Sequence, residues 1–186
     1  YCRKYKSLDA AEQVLLNCND LAAGHDYFAL GVFDVSPDHR WLAFATDTAG
    51  SERMALRFKN LTTGEISPET IGNTTYATSW STDNKTLFYV TLDDAARAYK
   101  LWRHVVGTDP ARDALIYHEQ DSAFSIGLDL TKDKKFLLME LSSISTSEVR
   151  FIKANQPTSS FQVVEPRRRG IEYEVEHIGN RFMIRT

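Results

Sequence analysis

The sequence predicts an all-β fold in which antiparallel four-stranded blades form an incomplete β-propeller, about three full blades with two partial ones. Three observations carry this expectation. A turn motif recurs: Ser36-Pro37-Asp38-His39-Arg40, Ser81-Thr82-Asp83-Asn84-Lys85 and Thr131-Lys132-Asp133-Lys134-Lys135 each precede an apolar run, with a fainter copy at Ile178-Gly179-Asn180-Arg181. The turn aspartates are 83 − 38 = 45 and 133 − 83 = 50 residues apart, and Gly179 follows 179 − 133 = 46 residues later. Periods in this range mark repeat architectures. A second landmark keeps step with the first. Leu56-Arg57-Phe58, Trp102-Arg103-His104 and Val149-Arg150-Phe151 place arginines 103 − 57 = 46 and 150 − 103 = 47 residues apart. Finally, the runs after the turns, such as Leu87-Phe88-Tyr89-Val90, are apolar at every position, which requires burial on both faces of a strand. A blade packed between two neighbours meets that requirement.

Each element follows from this frame. Arg3 to Leu16 resembles Arg103 to Ile116, so the chain starts in the second half of a blade. Asn17 to Gly24 carries N-cap residues and a glycine stop, and predicts one or two helical turns. The first complete unit has strands near Ala29–Val35, Trp41–Asp47, Met54–Asn60 and Glu65–Glu69. The second has them near Ala77–Trp80, Thr86–Leu92, Tyr99–Val105 and Ala114–Glu119. The third has them near Phe124–Leu130, Phe136–Leu141, Glu148–Lys153 and Phe161–Glu165. Turn clusters such as Thr62-Thr63-Gly64 separate β-branched and aromatic runs. Pro37 suits the second position of a type I turn, and the aspartate after it can bond the turn backbone. Blade segments are therefore expected near residues 1–24, 25–71, 72–121, 122–170 and 171–186. Such an arc does not close and leaves edges at both ends.

Composition limits the function classes. The chain is 42% hydrophobic and 25% charged, a globular balance, and its net charge of −3 argues against a nucleic-acid partner. No apolar run nears the roughly 20 residues that span a bilayer. The opening Tyr1-Cys2-Arg3-Lys4 has neither an initiator Met nor a signal-peptide core, so it reads as the middle of a longer protein. Two cysteines, Cys2 and Cys18, are too few for a disulfide framework and suit a reducing cytoplasm, although a bridge between them stays open. The sequons at Asn60, Asn73 and Asn84 fall in expected turns, where Asn and Thr are common in any case.

The Ser-Pro-Asp hairpin resembles the repeat shared by prolyl-oligopeptidase-type peptidases and TolB-like periplasmic propellers. Longer strings narrow the resemblance. These are Gly24-His25-Asp26-Tyr27-Phe28-Ala29-Leu30-Gly31, Asp47-Thr48-Ala49-Gly50-Ser51-Glu52-Arg53, Leu101-Trp102-Arg103-His104, Gly107-Thr108-Asp109-Pro110, Ser147-Glu148-Val149-Arg150 and the run from Arg167 to His177. Together they resemble the oligopeptidase B (protease II) branch of the prolyl-oligopeptidase family of serine peptidases, across essentially the whole chain. The resemblance implies a cytosolic endopeptidase that cleaves short peptides after Arg or Lys. It also implies a seven-bladed N-terminal propeller that caps a C-terminal α/β-hydrolase domain carrying a Ser-Asp-His triad. This sequence would cover about half of that propeller and none of the hydrolase.

The residues agree with that division. A hydrolase nucleophile needs a Gly-x-Ser-x-Gly elbow, and neither Ser51, which follows Gly50 directly, nor Ser125, between Phe124 and Ile126, has one. The expected list of catalytic, cofactor-binding and metal-binding residues is empty, and no cofactor is implied. The five histidines include no pair at metal-ligand spacing. His39 falls in a turn, His104 in a strand and His118 at a strand end. His25 beside Asp26, and His177 beside Glu176, read as polar ties in the fold or as substrate-facing groups. Arg167-Arg168-Arg169 reads as a solvated inter-blade loop or as a contact for the hydrolase domain. Asp93-Asp94 and the alternating Glu172, Glu174 and Glu176 could attract basic peptides, with the last three sharing one side of a strand opposite Tyr173 and Val175. That side faces either a channel or solvent. Trp41, Trp80 and Trp102 are expected in the inter-blade core.

Two functions fit. One is a gating segment of a peptidase, which admits narrow unfolded peptides to a triad elsewhere and is itself inactive. The alternative is a stand-alone TolB-like binding or scaffold module. In either case the exposed blade edges favour self-association into a homo-oligomer.

Overall fold

The computed structural model describes residues 1–186. In chain order its strands are β1 (Cys2–Lys4), β2 (Glu12–Val14), β3 (Ala29–Val35), β4 (Trp41–Asp47), β5 (Met54–Asn60), β6 (Ile66–Trp80), β7 (Thr86–Leu92) and β8 (Ala98–Val105). They continue as β9 (Ala114–His118), β10 (Ser125–Leu130), β11 (Phe136–Ser142), β12 (Ser147–Lys153), β13 (Gln162–Glu165), β14 (Glu174–Ile178) and β15 (Arg181–Arg185). One short helix, α1 (Cys18–Ala22), is capped by the Asn17 side chain. All pairings are antiparallel, in the orders β1-β2, β3 through β9, β10 through β13, and β14-β15. Three four-stranded blades are flanked by half a blade at each end, and no sheet closes. No helix is long and apolar enough to cross a membrane.

The strands fall where periodicity puts them, with one informative difference. The sequence suggests separate strands near 65–69 and 77–80, whereas β6 runs unbroken through both. Thr74 belongs to two ladders at once, opposite Met54 on β5 and Thr91 on β7. Asn73 turns the chain there with φ 58°, and its amide donates to the Leu92 carbonyl at 2.7 Å. Gly72-Asn73 reads as a break in the sequence, but in the structure it is the bend that carries one blade into the next. The later crossovers, residues 119–124 and 166–173, leave the ladder and travel as loops.

The hairpin turns repeat in atomic detail. In the first, Ser36 N–H donates to Trp41 O at 2.9 Å and His39 N–H to Ser36 O at 2.8 Å. His39, Asn84 and Lys134 occupy the same left-handed position (φ 61°, 62° and 58°), whereas the fourth turn is a shorter, two-residue connection between paired Ile178 and Arg181, with Gly179 at φ 68°. In the first three turns a type I turn is followed by a left-handed residue within a four-residue connection, residues 37–40 in the first. The aspartates hold it: Asp38 accepts from Ser36 Oγ at 2.7 Å, Asp83 from Thr86 Oγ1 at 2.7 Å and Asp133 from Thr131 Oγ1 at 2.9 Å. The sequon asparagines serve the backbone too. Asn60 Oδ1 accepts from the Thr62 and Thr63 amides, and Asn73 and Asn84 both take left-handed conformations.

The arginine landmark is less regular than its spacing suggests. Arg57 lies opposite Phe44 and Arg150 opposite Met139, each six residues past a turn aspartate (44 − 38 and 139 − 133). Arg103 lies opposite Phe88, only five past Asp83 (88 − 83), and so points to the other face of its blade. Opposite Thr91 and Leu92, which pair with Lys100 and Ala98, Tyr99 of β8 is left as an extra residue that shifts it. Trp102, not Arg103, is the structural counterpart of Arg57 and Arg150.

The four apolar cores are the four seams between neighbouring blades. Leu15 and Leu16 pack with Leu42, Phe44 and Leu61. Val32, Ala43, Ala45, Met54, Leu56, Phe58 and Ile71 of the first full blade meet Trp80, Leu87 and Tyr89 of the second, with Trp41 and Trp102 packed alongside. Phe88, Val90 and Leu101 meet Phe124, Ile126, Leu137, Met139, Leu141 and Ile152. Leu138 and Val149 meet Tyr173 and Val175. Successive residues of β4, β7 and β11 therefore enter opposite seams, which explains their uninterrupted apolar sequence.

Phe88 is fully buried, so Phe88→Ala should cost about 3–5 kcal/mol of unfolding free energy in a urea titration. Ile144→Ala, at a wholly exposed position, should stay within about 0.5 kcal/mol of wild type. At the left-handed position of the third turn, Lys134→Val should destabilise by about 1–2 kcal/mol while Lys134→Gly should not, by the same titration.

Candidate functional site: the concave wall

Several charged groups singled out in the sequence are consumed by the fold. Arg167 separates from its two neighbours. Its guanidinium reaches Glu119 at 2.7 Å and Glu148 at 3.4 Å, and lies 4.0 Å from the centroid of the Phe124 ring. Glu148 also pairs with Arg150 at 2.7 Å, and the Arg150 guanidinium sits 4.7 Å over the Tyr117 ring. This network ties the second and third blades together at the crossover between them. Burial would raise the Glu119 and Glu148 carboxyls, but the arginines and the backbone amides they accept outweigh it and hold both below the usual range. Arg168 and Arg169 remain exposed, Arg168 with a long contact to Glu165 at 3.5 Å. The triple-arginine run is thus one inter-blade tie plus two surface charges.

The histidines divide in the same way. His25, His39 and His118 are not buried, whereas His104 and His177 are. His104 is fully buried, its Nδ1 2.8 Å from Asp113 Oδ1, and its ring stacks on Phe58 at 5.1 Å. Tyr89 donates to the other Asp113 oxygen at 2.9 Å, and burial, then Asp113, pushes its phenol up. His177 Nδ1 lies 2.7 Å from Asp133 Oδ2, linking the β14 strand to the third turn, with its ring between Phe136 and Phe182. Among the proposed peptide-attracting acids, Asp93 spends its carboxylate on the Ala95 and Arg97 amides and the Arg97 side chain. Glu176 accepts from the Lys132 and His177 amides. Asp94, Glu172 and Glu174 are exposed, and Tyr173 and Val175 are buried on the opposite side of the strand as the alternation requires. Cys2 and Cys18 are both free. Ser51 lies in an exposed turn and Ser125 within β10.

Chemistry remains available on the wall formed by the inner strands. β3, the second half of β6, and β10 converge around an open cavity of about 440 Å³. Gly31 and Asp34 come from β3, Tyr76 and Thr78 from β6, Asp129 from β10 and Lys134 from the turn after it. Asp34 accepts one side-chain hydrogen bond, from Thr78 Oγ1 at 3.4 Å, and no cation approaches it. Burial raises its carboxyl to about 6, against a smaller lowering by Thr78. A second acidic cleft opens where β11 faces β14, lined by Asp129, Glu140 and Glu174. Glu140 is pushed up by burial first and then by its two carboxylate neighbours. Sequence reasoning passed over Asp34, Asp129 and Glu140 because each lies inside an apolar strand. A signal was present: Asp34 and Asp129 both stand four residues before a turn aspartate (38 − 34 and 133 − 129), an offset that places them on equivalent inner-strand positions.

Removing Arg167 leaves two carboxylates short of a partner, so Arg167→Met should cost about 2 kcal/mol and Arg168→Met less than about 0.5 kcal/mol by chemical denaturation. Because Glu119 and Glu148 are held low, their stabilisation is complete above the unfolded carboxyl range and fades as pH falls through their lower folded values. The wild-type excess over Arg167→Met should shrink correspondingly below about pH 4. Asp34 has the opposite sign. With its folded value near 6 against 3.8 as the ordinary value, only the unfolded chain releases this proton between those pH values, so stability falls as pH rises through that window. Asp34→Asn should therefore be neutral near pH 3 and stabilising by about 1–2 kcal/mol above pH 6.5, the partial exposure of the group limiting the gain.

The family model described as prolyl oligopeptidase, N-terminal beta-propeller domain, matches residues 1–186. The chain is 43% identical over 178 residues to dipeptidyl aminopeptidase BI of Pseudoxanthomonas mexicana, covering 95% of this chain and 24% of that protein. It is 36% identical over 180 residues to protease 2 of Moraxella lacunata, covering 96% of this chain and 26% of that one. Oligopeptidase B from Leishmania major superposes with a TM-score of 0.87 at 27% identity, over 95% of this chain and 25% of that structure. Oligopeptidase B from Trypanosoma brucei, in a closed form with covalently bound antipain, superposes with a TM-score of 0.82 at 28% identity, over 90% of this chain and 24% of that one. The chain thus spans about a quarter of the length of these relatives. Matched along its whole length and sharing their blade architecture, it belongs to the N-terminal β-propeller domain of the prolyl oligopeptidase family.

Proposed function

We propose that this arc is a length of the gating propeller of a serine oligopeptidase that cleaves short peptides after Arg or Lys. In this reading the triad lies in an α/β-hydrolase domain on the same full-length chain. The observation that carries the proposal is the concave wall: inner strands held rigidly by four apolar seams present carboxylates at Asp34 and Asp129 toward an open cavity. A stiff wall of blades admits an extended peptide and stops a folded protein, and acidic groups on it raise the local concentration of basic peptides. The relatives named protease 2 and oligopeptidase B support the peptidase reading. The blade segments are residues 1–24, 25–71, 72–121, 122–170 and 171–186, and the cytoplasm, where both cysteines stay reduced, is the compartment. Exposed apolar residues at the two ends of the arc, Tyr1, Tyr5 and Leu8 at one and Ile178, Met183 and Ile184 at the other, are where copies of the isolated chain would associate.

The test uses the full-length protein and the isolated 186-residue chain side by side. The full-length protein should hydrolyse a blocked arginine ester and short arginine-containing peptides, and leave a folded protein with an exposed arginine loop intact. The isolated chain should show no turnover of the ester. Turnover by the isolated chain, or cleavage of the folded protein as fast as of the peptides, rejects the gating role.

A further inference from the structure

The cavity where β3, β6 and β10 converge holds an acid without a counter-charge. Asp34 has the Thr78 hydroxyl and nothing cationic beside it, although it is sheltered enough for burial to dominate its ionisation. Lys134 lines the same cavity but makes no ion pair within 4 Å with Asp34 or with Asp129, whose Oδ1 accepts from the Leu130 amide. Tyr76 contributes a ring that is 57% exposed. That ring lies close against the wall because position 31 has no side chain: a Cβ there would meet Met54 Cε at 2.7 Å and Tyr76 Cδ1 at 3.0 Å. A sheltered carboxylate beside an open aromatic face, with room of about 440 Å³, has the chemistry of a cation receptor.

We infer that this cavity is a binding site for the cationic side chain of a peptide, an arginine guanidinium or lysine ammonium, with Asp34 as the counter-charge and Tyr76 as the flanking ring. The inference deepens the proposed peptidase reading by locating one basic residue of the substrate on the propeller, away from the bond to be cut. The entering cation gives Asp34 the partner that the fold withholds. Lys134, at the rim of the same cavity, opposes it.

Two labelled pentapeptides, Ala-Ala-Arg-Ala-Ala and the same sequence with norleucine for arginine, test the site by fluorescence anisotropy on the full-length protein with its active site blocked by a covalent serine reagent. Wild type should bind the arginine peptide about tenfold more tightly, as expected for a charge-assisted contact. Asp34→Asn should erase that preference without changing norleucine-peptide affinity, and Lys134→Met should increase it. Equal binding of the two peptides by wild type, or an unchanged preference in Asp34→Asn, overturns the site. In the unblocked enzyme, Asp34→Asn should raise KM about tenfold for a peptide with a second arginine remote from the scissile bond, with kcat unchanged. The KM for the single-arginine ester should change far less. Loss on both substrates alike would mean a purely structural role and also overturns the inference. If the blocked protein discriminates the peptides but the unblocked protein cleaves neither, the cavity stands and the peptidase reading falls.

Discussion

No blade in this chain has a core of its own. Each second strand divides its side chains between two seams, so Leu42 and Phe44 stabilise one neighbour while Ala43 and Ala45 stabilise the other. The same division holds for Leu87 and Tyr89 against Phe88 and Val90. Stability is thus a property of adjacent pairs, as in other repeat folds where units cannot bury their apolar faces alone. The concave wall inherits its geometry from this constraint, because inner-strand positions are fixed only by the seams behind them. Buried polar groups follow the same logic. Asp113 holds the Tyr89 hydroxyl and the Nδ1 of His104 at once, where two blades meet around Phe58.

Charged side chains complete what the seams leave undone at the crossovers. Arg53 donates to the Asp93 and Asp94 carbonyls and to Asn73, spanning the bend in β6. Arg97 donates to the carbonyls of Glu119, Asp121 and Phe124, collecting the backbone of the next crossover. Arg167, working from the crossover side, bonds carboxylates on two blades. Planar guanidinium groups suit these positions because one side chain can satisfy several acceptors in fixed directions.

The architecture was legible because its determinants are local and periodic. The turn aspartates, the left-handed residue that follows each, and the doubly apolar second strands all repeat in the sequence, and β3, β4, β5 and β7 fall on the expected residues. What escaped depends on distance or on a single inserted residue. The arginine spacing looked regular, yet the bulge beside Thr91 turns Arg103 to the other face. Gly72-Asn73 has the composition of a loop, and only the two ladders sharing Thr74 make it part of a strand. The role of Arg167 was hidden because Glu119 lies 48 residues away, and Asp34 was hidden because the cavity beside it is built from three separate blades.

The unbroken course of β6 gives the arc an uneven stiffness. Prising the first full blade from the second means rupturing a shared hydrogen-bond ladder at Thr74 together with the apolar seam around Phe58. Between the second and third blades the chain crosses as a loop, and separation is resisted by side-chain packing, the arginine bonds, and the Ser81 hydroxyl and Thr82 N–H donating to the Ala154 carbonyl. The first junction is thus fastened through one continuous strand, and the later one through contacts between separate segments of chain.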